Sequence, residues 1–516
     1  MMKAPIITTA FFLTGLAAAT LAALSTVVTI STPFPIVTSA AREMSAGGAF
    51  DGTNFLIGIQ GYGTSGRSDA ITAQLVSPAG ALVGNRIVVV DRYGSVPAAA
   101  FDGTNYLMIW SDAGHFGGDI VYGQFISPNG PLVGSPFSIA AQGEGDSHDD
   151  VHHLAYGAGR YLLVFSKWDS EGNFGLYGQM RLPADRTPGG PVFPITGAGD
   201  IGGQFLQAVA FDGHNFFVVW MDGGQQLVKG QFISPAGVLI GEPLQIASFS
   251  TGPMLSAATV FNGTDYLIAW STVIDDAPRV VGQRVTPGGA LVGGQIAISS
   301  TQAVPLLPML ASDGNGILVT WTDLRNDTDW NFACEATEGT CLDVYGRFID
   351  STGSPAGPEF PLTAAGNQFV SPVMFGAGKY LVAWTDGDTP DGEYGDVYGA
   401  FVTGTPGDTT PPVVTAVSAT PDRLWPPRNQ MIPVRVAVVV TDDVDPTPAC
   451  AIANVASSEP GSGQWQITGD LTLNLRASRN GAGTGRTYTV SVACSDASGN
   501  QSLARTSVTV PHDERK

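Results

Sequence analysis

Apolar and polar positions alternate in short runs along most of the chain, and one ten-residue pattern returns seven times: FDGTNFLIGI, FDGTNYLMIW, YGAGRYLLVF, FDGHNFFVVW, FNGTDYLIAW, SDGNGILVTW and FGAGKYLVAW. The pattern begins at Phe50, Phe101, Tyr156, Phe211, Phe261, Ser312 and Phe375. Nine residues after each stand Ile59, Trp110, Phe165, Trp220, Trp270, Trp321 and Trp384. Two apolar runs at a fixed offset, joined by Asp-Gly, Asn-Gly or a Gly-rich pair, predict a β-hairpin, because such pairs supply the positive φ values of a tight turn. Each repeat continues with a run such as VYGQFIS (Val121 to Ser127). In most repeats a turn like SPNG follows, then a short run such as FSI from Phe137. The pattern therefore predicts four short antiparallel strands, A to D, in each unit of about 50 residues.

A meander of four strands cannot bury both faces alone, so the units must stack, and this period with four strands predicts a β-propeller. The competing linear β-solenoid is disfavoured by the ends of the array. The seventh unit has strands A, B and C, ending in DVYGAFV (Asp396 to Val402), and lacks a D strand. The segment PFPIVT (Pro33 to Thr38) matches the D strands SPFSIA and PVFPIT. Pairing it with Asp396 to Val402 leaves no open sheet end. The expected fold class is all-β: a seven-bladed β-propeller over residues 31–403 closed by an N-terminal strand, then a β-sandwich.

Units of the form FDGTNYLMIW followed by VYGQFIS resemble the repeats of secreted bacterial β-propeller proteins over residues 31–403. The resemblance implies the fold and leaves function open, since propellers host enzymes, lectins and scaffolds. WD40, kelch and integrin-type signatures are absent. Residues 404–412 read as a Pro/Gly linker. Residues 413–512 predict six strands, near Val413 to Ala419, Ile432 to Thr441, Cys450 to Val455, Leu471 to Ala477, Thr487 to Ser495 and Ser502 to Val510. That spacing fits a β-sandwich. DTTPP at Asp408, LWPPRNQMIPV at Leu424 and TYTVSVACSDASGN at Thr487 resemble bacterial Ig-like or hyalin-repeat (HYR-like) modules, which implies a spacer or adhesive role. Asp408, Asp442, Asp443 and Asp496 are candidate Ca²⁺ ligands there; ordinary turn formation by Asp is the alternative.

The length of 516 residues agrees with more than one core. With 45 Asp and Glu against 24 Lys and Arg, the net charge of −21 repels phosphate backbones and anionic lipid and disfavours general nucleic-acid binding. Residues 1–25 carry Lys3 and an apolar run from Ile6 to Ala23, the pattern of a cleaved signal peptide, with an uncleaved signal anchor as the alternative reading. An exported protein, secreted or held in the cell envelope without membrane insertion, follows. Four Cys in two local pairs predict disulfides Cys334 to Cys341 and Cys450 to Cys494, since neither spacing suits zinc.

The A–B and C–D turns keep constant lengths, whereas the B–C step runs from 10 residues (Trp220 to Gly230) to 25 (Trp321 to Gly346). Length varies where loops are free to serve a partner, so the B–C and D–A loops mark the candidate binding face. Its candidate contacts are Asp112, His115, Asp119, Asp169, Asp222, Asp323, Trp330, Asp386 and Asp388. These carboxylates are either solvated loop residues or cation ligands, with Ca²⁺ the candidate. The cluster SHDDVHH (His148, His152, His153) lacks metal-site spacing and is expected in a surface loop. No catalytic residue is assigned, because no G-x-S-x-G, P-loop or H-E-x-x-H motif occurs. Two functions compete. One is a monomeric binding or adhesion protein engaging an extracellular protein or glycan. The other is a propeller-type glycoside hydrolase using acidic loop residues; SDGNG at Ser312 loosely resembles the sialidase Asp-box, without an arginine cluster beside it.

Overall fold

The computed structural model describes residues 28–39, 42–62, 68–91, 94–112, 120–140, 152–168, 174–183, 191–196, 208–250, 256–275, 277–300, 304–325, 342–363, 368–387, 395–404, 411–442, 447–496 and 500–513. These residues are all-β, with no helix among them. Each repeat forms a small antiparallel sheet. Unit 2, for example, runs Ser95–Phe101 (A), Tyr106–Asp112 (B), Ile120–Ile126 (C) and Leu132–Ala140 (D), paired in that order. In unit 7, strands Gln368–Gly376, Lys379–Gly387 and Gly395–Thr403 are followed by Phe34–Val37 from the N-terminus, with Phe34 opposite Gly399 and Pro35 opposite Tyr398. Thr29 and Ile30 extend the same edge opposite Thr403 and Val402.

The A strands lie side by side in chain order, and the last, Gln368–Gly376, packs against the first, Arg42–Phe50. Gly395 also pairs with Glu43, and Ser45 N donates to Thr385 Oγ1 (3.0 Å) across that junction. The apolar core is divided among the junctions between units. At the junction of units 7 and 1, Ile36 and Val37 pack with Phe55, Ile57 and Ile59 of unit 1 and with Leu381, Ala383 and Val397 of unit 7. At the junction of units 4 and 5, Phe217, Val219 and Met221 meet Tyr266, Ile268 and Trp270. A unit removed from its neighbours would thus expose half a core on each face.

Local chemistry explains the repeated letters. In the A–B turns, the side-chain oxygen of Asp51, Asp102, Asp212, Asn262 or Asp313 accepts backbone N–H groups two and three residues on, at 2.6–3.0 Å. Units 3 and 7 lack this side chain and use the left-handed pairs Ala158–Gly159 and Ala377–Gly378 instead, with φ of 49° and 74° in each. In strand C, a Cβ on Gly123 would stand 2.9 Å from Phe137, so glycine makes room for the aromatic residue of strand D. The glutamine that follows closes the outer strand: Gln124 Nε2 donates to Phe125 O (2.8 Å), Val133 O (3.2 Å) and Gly134 O (3.2 Å).

Neighbouring units are also joined by their tyrosines. Tyr106 of unit 2 donates its hydroxyl to Asn54 O of unit 1 (3.1 Å), beside the buried carboxylate of Asp51. Tyr266 meets Asn215 O (3.3 Å) beside Asp212, and Tyr380 meets Gly316 O (3.4 Å) beside Asp313; Tyr161 faces Asp102. Burial, and then the adjacent carboxylate, push each phenol above its ordinary value. Where the preceding turn has no Asp at the Asp51-equivalent position, this position is Phe216, Ile317 or, after unit 7, Phe55.

The C-terminal residues form a four-stranded sheet ordered Val413–Thr420, Met431–Thr441, Thr472–Arg476, Trp465–Gly469, and a three-stranded sheet ordered Ala449–Ser457, Gly485–Ser495, Gln501–Pro511. Side chains of both sheets share one core, including Val434, Val436, Leu473, Leu475, Tyr488, Val490 and Val508. Cys450 and Cys494, opposite each other in register, form a disulfide. The strand Trp465–Gly469 is an addition to the six expected.

Candidate binding face

The ends of strands B and the starts of strands C and A place the B–C and D–A connections on one side of the sheets. Of the carboxylates expected there, Asp222 and Asp323 are fully described and lie inside the fold. Asp222 ends strand B of unit 4 (Phe216–Asp222), is 1% exposed, and accepts from Lys229 Nζ (2.8 Å) and Gln225 N (2.9 Å). It fixes the root of its loop and does not offer an exposed ligand. Asp323, wholly buried, accepts from Trp321 Nε1 (2.8 Å), Arg325 Nη2 (2.6 Å), Arg325 N (2.9 Å) and Val304 N (3.1 Å). The Arg325 guanidinium also reaches Glu359 (3.1 Å) and lies 3.8 Å over the Tyr345 ring. Burial is the largest influence on Arg325 and opposes its charge, but the hydrogen bonds and charges of Asp323 and Glu359 outweigh it and hold the guanidinium protonated. This group braces the root of the longest B–C loop, residues 326–341.

Asp386, next to last in its strand, stands opposite Asp396 and accepts from Gln368 Nε2 (3.3 Å). Asp396 in turn accepts from Ser39 N (3.1 Å), tying the N-terminal segment to this edge. Asp112 ends strand B of unit 2, opposite Ile120. His115, Asp119, Asp169, Trp330 and Asp388 lie outside the described residues, as do Cys334 and Cys341. Among the C-terminal candidates, Asp496 accepts from Asn500 N and Nδ2, both at 2.8 Å, and so closes its own turn. Asp442 directly follows the strand Met431–Thr441; Asp408 and Asp443 lie outside the described residues. Among the described residues no group of three or more His, Cys, Asp and Glu side chains is placed to hold a metal ion.

The histidine cluster departs from its expected place. His152 and His153 open strand A of unit 3, opposite Phe165 and Val164, and are not in a loop. Burial pushes the His153 imidazole down to about 4, so it stays neutral where an exposed histidine would titrate. Two functional features escaped sequence reasoning. One is the Arg325 brace, whose signal was the spacing W-x-D-x-R in Trp321, Asp323 and Arg325. The other is Glu43, 1% exposed, which pairs with Arg86 at the junction of units 7 and 1. Desolvation raises the Glu43 carboxyl despite that partner.

Among the described residues, no helix is long and apolar enough to cross a membrane. No protein-family model matches the chain, and no curated protein matches it. Solved structures with similar form include a GH43_1 enzyme from Xanthomonas citri, 12% identical with a TM-score of 0.33, over 51% of this chain and 94% of that one. A protein of unknown function from Dyadobacter fermentans is 9% identical with a TM-score of 0.41, over 73% of this chain and 99% of that one. The Dos1 propeller is 10% identical with a TM-score of 0.41, over 73% of this chain and 95% of that one.

Proposed function

We propose that the protein is an extracytoplasmic binding protein. In this reading the seven units close into a seven-bladed β-propeller completed by the N-terminal strand, spanning residues 31–403. Its B–C and D–A loops engage an extracellular protein or glycan. Residues 413–512 serve as an Ig-like or HYR-like spacer behind the linker 404–412. One observation carries the reading: in five of the seven units the A–B turn on one side is locked by the same hydrogen bonds, while connections on the other side vary in length and, in units 4 and 6, begin from braced strand ends. A rigid frame with variable loops is the usual arrangement of a recognition face.

The contacts assigned to the ligand are Asp112, His115, Asp119, Asp169, Trp330 and Asp388. Asp222, Asp323 and Asp386 are assigned to positioning. The hydrolase alternative needs two carboxylates free to face a scissile bond. Asp222 and Asp323 are already committed to Lys229 and Arg325, which favours binding. The test is a glycan and protein array probed with the full chain, with and without Ca²⁺, followed by Trp330→Ala and Asp388→Ala. Binding lost in these variants with unchanged melting supports the reading. Turnover of an array glycan, abolished by removing one acidic loop residue, would replace it with hydrolysis.

A further inference from the structure

We infer that the C-terminal module carries a self-association edge, through which the strand Trp465–Gly469 pairs antiparallel with the same strand of a second copy of this chain. This strand ends the four-stranded sheet, and no strand among the described residues pairs with its outer side. All five of its residues are exposed. Trp465 and Ile467 stand opposite Leu475 and Leu473, so they continue the apolar row of the core, yet they are 38% and 45% exposed. The facing sheet has only three strands, and its strand Ala449–Ser457 approaches this margin without pairing with it.

The hydrogen-bond phase points the same way. Arg476 N donates to Gln464 O (2.9 Å), which makes 464 and 476 a bonded pair. Two residues on, Gln466 and Asn474 are bonded next, and the backbone N–H and C=O groups of Trp465 and Ile467 turn outward. The same two residues thus offer an apolar row and free backbone groups along one line.

Other edges are guarded. Outer strands of four repeats are broken by left-handed Gly84, Gly134, Gly241 and Gly293, and their carbonyls at Val83, Val133, Ile240 and Val292 accept from glutamine side chains; those of units 3 and 6, Phe193–Pro194 and Phe360–Pro361, are two residues long. In the module, the segment after Thr420 clips one side: Leu424 N donates to Thr509 O (2.8 Å) and Thr509 N to Asp422 O (2.9 Å). The strand Ala449–Ser457 is bulged between Ile452 and Asn454 and tied to Asp470 O. The segment WQITG has no charge and no proline, the devices that normally blunt an edge.

The occupant follows from the segment's own symmetry. Antiparallel pairing centred on Ile467 sets the indole of Trp465 over Gly469 of the second copy, where no side chain stands, and Gln466 beside Thr468. Five residues bury well under the ~1,200 Å² of a stable interface, so the dimer is reversible and concentration-dependent. This departs from the monomer expected from the sequence and does not depend on what the loop face binds.

Sedimentation velocity of the full chain over about 1–200 µM, within the range of weak specific association, should show average mass rising toward twice that of one chain. Amides of Trp465 and Ile467 should gain exchange protection at the high end. Ile467→Lys and Ile467→Pro should shift the midpoint at least about tenfold, while Leu503→Lys, at a still more exposed apolar site on the other sheet, should not. If melting shows that either Ile467 variant misfolds, Thr468→Lys on the same edge takes its place. A single unchanging mass, association unaltered by these edge charges, or protection confined to other segments would overturn the inference.

Discussion

Removing the Tyr106 hydroxyl tests the junction chemistry that orders the units. In Tyr106→Phe, Asn54 O keeps one donor, the N–H of Asp51, but loses the phenol at 3.1 Å. Asp51 keeps two backbone donors on Oδ1, while its buried Oδ2 loses the neighbouring phenol. An unsatisfied buried acceptor costs about 1–3 kcal/mol. Because Asn54 O and Asp51 Oδ1 retain donors, the expected loss is about 1–2 kcal/mol. Tyr266→Phe and Tyr380→Phe should behave alike, and distant sites should add. The assay is urea unfolding of the full chain followed by tryptophan emission, with a double-mutant cycle between Tyr106→Phe and Asp51→Ala. A coupling of about 1 kcal/mol is expected, and none between Tyr106 and Asp212, which belong to different junctions. Phe216→Tyr supplies the converse: its preceding turn, Gly157 to Arg160, offers no carboxylate, so the added hydroxyl should not stabilise. The reasoning fails if the coupling lies within about 0.3 kcal/mol of zero, or if Phe216→Tyr stabilises as much as Tyr106→Phe costs.

Three further outcomes are expected. Deleting residues through Thr38 removes Ile36 and Val37 from the 7/1 core and bares the edge at Val397 to Gly399; light scattering should show aggregation that the intact chain lacks. Replacing Cys450 and Cys494 with Ala opens a 44-residue separation and should lower the stability of the C-terminal module by about 3–4 kcal/mol in calorimetry, leaving the ring transition in place. His153, neutral in the folded protein, gives a pH dependence. Its folded value of about 4 lies below the unfolded value near 6.5, so the unfolded chain binds the extra proton. Stability is then full above about pH 6.5 and falls as pH drops toward 4. Its surface is only partly covered, so about 1–2 kcal/mol is expected to be absent from His153→Gln when the two are compared at pH 7 and 4.5.

Much of the frame was legible because it is made of local chemistry. The nine-residue offset reports a hairpin whose Asp or Asn side chain satisfies its own backbone, and the DVYGAFV and PFPIVT segments reveal a strand missing at one end and supplied at the other. Interior polar pairing was less legible. Asp222 and Asp323 read as loop acids because sequence cannot show that Lys229, seven residues on, and Arg325, two residues on, fold back onto them. The Asp and Tyr alternation becomes readable only once units are known to be neighbours. His152 and His153 sit among acidic and polar letters that suggest a loop, yet they enter strand A because Phe165 and Val164 lie opposite. The strand Trp465–Gly469 was too short, and too close behind the Gly-Ser stretch Gly461 to Gly463, to stand out.

The measurement that bears most directly on the account is hydrogen exchange of the full chain, free and saturated with the tightest array ligand, read peptide by peptide. The account predicts added protection in peptides spanning 113–119, 326–341 and 388–394, with the turns Asp51 to Asn54, Asp102 to Asn105 and Asp212 to Asn215 unchanged. Protection of those turns, with the variable loops unaffected, would contradict it.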